Sequence, residues 1–206
     1  MTIYIHKVTK ARLWLLALLA LGLAACSEDD GGGEDEFADW QARNETYFSN
    51  IYQQAQSYVA QGNNNWKILT KWSVNEDVAT ASDRIVVQVL NEGTGSGCPL
   101  YTDSVEINYN ARLIPSASYP NGYTIYGNYA GSYNPKLLVP SKISLSATQL
   151  GDGFATALMN MHIGDRWTVY IPYPMAPTAV PANSSTYTLP TYSMVVVDVE
   201  LMGYYR

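Results

Sequence analysis

Metal ligands and thiols are scarce in this chain, which has two cysteines and two histidines among 206 residues. His6 lies in the N-terminal leader, so His162 is the one histidine left, and a metal centre built from several Cys or His ligands is excluded. His162 follows Met161 at the end of a short helical pattern and reads as a solvated or capping residue, which leaves no Ser-His-Asp arrangement. Positive charge is short as well: 12 Lys and Arg against 18 Asp and Glu give a net charge of −6. No basic stripe exists to neutralise phosphates, so nucleic acid is not a partner. Charged residues total only 15% and hydrophobic residues 47%, a balance that excludes wholesale disorder and predicts a packed core. Phenylalanine is rare, at 3 residues against 17 tyrosines, so most of the aromatic surface carries a hydroxyl. No residue pattern asks for a cofactor or a metal.

The first 25 residues read as a secretory leader. Lys7, Lys10 and Arg12 precede an apolar run, Leu13–Leu23, that is too short to span a bilayer. The run ends Leu23-Ala24-Ala25-Cys26, a pattern that resembles the bacterial lipobox and implies acylation of Cys26. The other reading is ordinary cleavage at a small-residue site with Cys26 incidental. With Cys26 acylated, Cys98 is the last thiol, so no intrachain disulfide can form, and Cys98 is assigned no chemistry. Residues 26–36 hold six of the acids and three glycines, a composition that predicts a flexible tether. Its acidity resembles that of the stretch after the lipidated cysteine in some surface-exported lipoproteins of Gram-negative bacteria; a plain solvated spacer is the alternative. The expected location is the bacterial cell envelope, lipid-anchored to the outer membrane and facing periplasm or surface.

The mature chain opens with a helical pattern. Phe37, Trp40, Tyr47, Phe48, Ile51, Tyr52, Ala55, Tyr58 and Val59 fall on one stripe, predicting an amphipathic helix over 37–62 that docks on the following domain or on a second copy. A connector, 63–83, includes an extended stretch at 66–74. From residue 84 onward the chain turns to strands. Arg84–Leu90 is β-branched, and Asp103–Leu113 alternates, with Val105, Ile107, Tyr109, Ala111 and Leu113 facing one way and Glu106, Asn108, Asn110 and Arg112 the other. Residues 115–135 read as a long Pro/Gly/Asn/Tyr loop. Lys142–Ala147 alternates, Asp152–His162 is a short helix, and Trp167–Ile171 and Met194–Met202 are strands separated by a proline-rich loop over 172–190. With no βαβ rhythm, the fold class is α+β, an antiparallel sheet packed on a helix.

The segments Val105–Leu113 (VEINYNARL), Gly153–Met161 (GFATALMNM), Ile163–Pro172 (IGDRWTVYIP) and Tyr192–Leu201 (YSMVVVDVEL) together resemble the FKBP-type peptidyl-prolyl cis-trans isomerases over about residues 84–204, within a domain expected to run over 84–206. The resemblance implies a five- or six-stranded antiparallel sheet curled around one short helix. It also implies an aromatic pocket for proline-containing segments of exported proteins. By the same resemblance Tyr109 is the pocket tyrosine, and Gly151 stands where an isoleucine usually offers its backbone N–H to a substrate carbonyl. Phe154 replaces the tryptophan of the pocket floor, Leu150 is an aliphatic wall, and Ile125 and Val197 replace pocket phenylalanines. Two polar groups are lost: Tyr126 takes the place of the pocket carboxylate, and Pro177 that of a flap tyrosine, with Tyr187 in the same loop as a possible substitute.

Two functions follow from these residues. One is an envelope isomerase or folding helper of weak activity. The other is a catalytically inactive FKBP-like module that grips a peptide, glycan or partner lipoprotein through Tyr119, Tyr123, Tyr126, Tyr129 and Tyr133, rings that offer contact area and a hydroxyl at low entropy cost.

Overall fold

The computed structural model describes residues 36–146, 151–177 and 189–206. Cys26, Leu150 and Tyr187 lie outside the described residues, as do the leader and all of the tether but Glu36.

Seven strands form one antiparallel sheet: β1 (Trp66–Thr70), β2 (Arg84–Asn91), β3 (Ser104–Arg112), β4 (Thr124–Gly127), β5 (Ser141–Ser144), β6 (Arg166–Ile171) and β7 (Val195–Tyr205). Their spatial order is β1-β2-β6-β7-β3, after which β4 and β5 share the far edge of β3. β5 pairs with residues 104–107 of β3 and β4 with residues 110–112, so a single long strand supports two short ones end to end. Six of the seven lie within the span of the resemblance, and β1, from the connector, adds the seventh. The 115–135 stretch is also not loop throughout, since Thr124–Gly127 pairs with β3 across a bulge between Ala111 and Arg112.

Register divides the sheet into two faces. Val87, Val169, Val197 and Ala111 line up on the inner face, followed by Val89, Trp167, Val199 and Tyr109. The eight-residue helix α2 (Gly151–Leu158) packs there against β1, β2 and β6, with Phe154, Ala157 and Leu158 wholly buried. The outer face carries Val86, Tyr170, Val196 and Arg112, then Gln88, Thr168, Asp198 and Asn110.

Helix α1 (Trp40–Ala60) lies against the same three strands. It begins at Trp40 and not Phe37, because residues 36–39 form a turn in which Asp39 adopts a left-handed backbone (φ 51°). Trp40, Phe48 and Ala55 are buried, and Tyr58 stacks on Trp66 with ring centroids 5.3 Å apart. The helix start is stitched to the entry of β7. Trp40 Nε1 donates to Ser193 Oγ (2.8 Å), and the Met194 backbone N–H donates to Asn44 Oδ1 (3.0 Å). The aromatic stripe is therefore spent on the chain's own sheet. With a helix on each side, Ile85, Val86 and Val87 are all fully buried, and β2 reads as a continuous apolar run.

The polar side of β3 is covered too. Asn108 and Asn110 are buried under residues 128–133: Asn128 Nδ2 donates to Asn108 Oδ1 (2.8 Å), and Asn110 Nδ2 to the Tyr129 carbonyl (2.8 Å). Alternation sets both asparagines on the face opposite Tyr109. The structure keeps their face and buries it, with hydrogen bonds replacing water.

Candidate active site

Tyr109 is delivered by the middle of β3, paired with Val199 of β7 between the stretches that β5 and β4 cover, and it is 8% exposed. Its ring lies 6.0 Å from that of Phe154, which projects from the first turn of α2, and 6.0 Å from that of Tyr126 on β4. Tyr109, Phe154 and Tyr126 thus form one aromatic run with Tyr109 at its centre. Burial pushes the ionisation of both tyrosines up, more strongly for Tyr126, so each keeps its proton at neutral pH.

The remaining positions fall around this run in different ways. Val197 pairs with Ala111 on the inner face and is fully buried, part of the wall behind Tyr109. Ile125 sits where the register jumps between Arg112–Thr124 and Ala111–Tyr126, so it has no cross-strand partner, and it is 9% exposed. Tyr126, opposite Ala111, shares the inner face with Tyr109.

Gly151 opens α2 with φ 70°, a left-handed conformation that an isoleucine would adopt only under strain. A Cβ on it would lie 2.7 Å from both the Met175 carbonyl oxygen and Pro177 N. The segment 175–177 therefore occupies the space of the missing side chain. Met175, Ala176 and Pro177 are all buried. A backbone strap replaces the wall that isoleucine would supply, and Pro177 brings no donor to it. The sequence shows the glycine but not the strap.

Polar side chains elsewhere serve structure. Asp198 on the outer face binds Arg112 Nη1 (2.6 Å) and accepts from Thr168 Oγ1 (2.7 Å). Asp152 pairs with Lys71. Asp165 is buried and accepts from the backbone N–H groups of Gly93 and His162, both at 2.7 Å. His162 Nε2 lies 3.9 Å from Cys98 Sγ, but burial, and then Asp165, push the thiol's ionisation up, so Cys98 rests as a neutral thiol and not a nucleophile. The tyrosines of the β3–β4 region are largely paired with one another: Tyr119 with Tyr123 (4.8 Å) and Tyr129 with Tyr133 (5.2 Å).

This arrangement carries no acid, base or nucleophile. It is an apolar aromatic cluster with phenol hydroxyls at the start of a short helix, its Tyr109 and Phe154 rings buried and Tyr126 half-buried. The family model of the FKBP-type peptidyl-prolyl cis-trans isomerases matches residues 98–202, just over half of the chain. A macrophage infectivity potentiator of Trypanosoma cruzi is 26% identical over 127 residues, which cover 62% of this chain and 56% of that protein. A solved peptidyl-prolyl cis-trans isomerase of Pseudomonas syringae superposes with a TM-score of 0.53 at 19% identity, over 85% of this chain and all of that one, a likeness of fold. With the family model matching residues 98–202, the chain belongs to the FKBP-type peptidyl-prolyl cis-trans isomerase family.

Proposed function

We propose that this chain catalyses cis–trans rotation about X–Pro bonds, using the inner face around Tyr109 and Phe154. The barrier to that rotation, about 18–20 kcal/mol, arises from amide resonance. A site lowers it by taking the bond out of water and hydrogen-bonding the twisted carbonyl, without proton transfer or a covalent intermediate. The observation that carries the reading is the Tyr109–Phe154 pair, two aromatic rings 6.0 Å apart at the helix start of a family member.

Turnover is expected to be weak. The carboxylate position holds Tyr126, the flap position holds Pro177, and the strap 175–177 replaces the wall beside Gly151. A protease-coupled isomerisation assay on an Ala-Leu-Pro-Phe peptide tests the reading, with the full chain in detergent micelles. Catalysis above the thermal rate that falls in Phe154→Ala supports it, and a rate indistinguishable from buffer refutes it.

The same reading places the protein on a lipid anchor at Cys26 in the bacterial cell envelope, working on proline-containing segments of exported proteins. Leu23–Cys26 and the basic, apolar leader support the anchor. Self-association through helix 37–62 draws no support from the aromatic stripe, since Trp40, Phe48 and Ala55 face the chain's own sheet. The paired packing of the loop tyrosines favours the isomerase over a module that grips a partner through Tyr119–Tyr133, because rings engaged with each other offer less free contact area.

A further inference from the structure

A buried hydroxyl that has left water without finding a partner is rare, and each instance asks for a reason. Among the described residues three buried polar side-chain atoms have no hydrogen-bond partner: the hydroxyls of Tyr126 and Tyr133 and the indole Nε1 of Trp167. Two have a visible cause. The guanidinium of Arg166 sits 3.9 Å from the centre of the Tyr133 ring, and the ammonium of Lys67 sits 4.9 Å from that of Trp167. There the cation fixes the ring, and the polar atom goes where the ring takes it.

No cation among the described residues covers Tyr126; its ring neighbour is Tyr109. Cross-strand pairing with Ala111 sets Tyr126 on the inner face, the face of Tyr109 and Phe154. We infer that the Tyr126 hydroxyl is held unpartnered as the donor for a main-chain carbonyl of the proline segment, which makes Tyr126 a specificity-determining residue of this site. The inference rests on the isomerase reading and adds a residue and a polarity to it. An X–Pro linkage has a carbonyl but no N–H, so a site can grip it through polar contact only by donating. Tyr126 keeps its proton because burial disfavours the phenolate, so the group offered is a neutral donor. The hydroxyl is closed off from water at rest while the residue as a whole is half-buried, so a substrate meets it by parting the ring from its neighbours.

Removing this oxygen tells a functional orphan from a structural accident. In the full chain in detergent micelles, Tyr126→Phe should leave the melting temperature unchanged or raise it, because an unsatisfied buried group is deleted. It should lower kcat/KM on Ala-Leu-Pro-Phe about five- to tenfold, the worth of one neutral hydrogen bond, and weaken calorimetric binding of the same peptide by a similar factor. Tyr58→Phe, which deletes a phenol hydroxyl on α1 where the ring stacks on Trp66, should leave kcat/KM and binding unchanged. An active wild type with Tyr126→Phe equal to it in rate and binding overturns the inference and leaves the isomerase reading standing. A wild type without turnover refutes the isomerase reading. Peptide binding that still weakens in Tyr126→Phe would then uphold the donor role alone, and unchanged or absent binding would end it.

Discussion

Gly151 and the buried phenols show how far single residues control this site. At φ 70°, with backbone atoms 2.7 Å from any added Cβ, Gly151 has no room for a side chain. Gly151→Ala should destabilise the protein by about 2 kcal/mol or more in urea unfolding, from left-handed strain and overlap with a strap that cannot move freely. An unchanged midpoint would mean that residues 175–177 yield easily. Phe154 is fully buried between helix and sheet. Phe154→Ala should cost roughly 3–5 kcal/mol of stability along with its effect on rate. The phenols set a pH limit. Burial raises the ionisation of Tyr109, Tyr126 and Tyr170 above the ordinary tyrosine value near 10. The unfolded chain loses these protons first, so their contribution is complete below pH 10 and is lost as pH rises through the higher folded values. Urea midpoints at pH 8 and pH 11 should show that fall, and Tyr126→Phe should lessen it. The seat of Tyr109 on the apolar side of β3 was legible from alternation, while its assignment to a pocket came from the family resemblance alone. The orphan state of Tyr126 was not, because it depends on a bulge that alternation cannot reveal.

Elements with one dry face announced themselves in the sequence, and those whose partners lie far away in the chain did not. The 3.6-residue stripe of α1 and the alternation of β3 and β7 follow from one face meeting the core. β4 was hidden because Thr124–Gly127 is short and sits among Gly, Asn and Tyr residues that read as turn formers. The buried asparagines were missed for a related reason, since a polar strand face reads as wet unless the covering loop is known. α1 itself is a structural part of the domain and not a stalk. Burying Trp40, Phe48 and Ala55 removes large apolar surface from water, at roughly 1.5–3 kcal/mol per large side chain. Deleting residues 37–62 would uncover the outer face of β1, β2 and β6, which the helix covers, and should lower the melting temperature by several degrees or cause aggregation. A melting curve and sedimentation profile identical to the full chain would contradict this docking.

The whole sequence reads as a leader, an acidic tether and a family domain, and each reading makes a separate demand. If Cys26 carries lipid, palmitate label should enter the wild type and be absent from Cys26→Ala, and equal label in both would remove the anchor from the account. The domain's chemistry needs only burial and a hydrogen bond. On the proposed reading, loss of two polar groups, at about ten- to a hundredfold in rate for the pair, should still leave measurable catalysis. Exchange NMR on an Ala-Leu-Pro-Phe peptide reads cis–trans interconversion directly at equilibrium, with no coupling protease. The full chain in micelles should speed that exchange. The effect should shrink in Tyr109→Phe and shrink further in Phe154→Ala. Exchange no faster than in micelles alone, with the protein folded and the peptide in excess, would contradict the claim that the Tyr109–Phe154 face turns over X–Pro bonds.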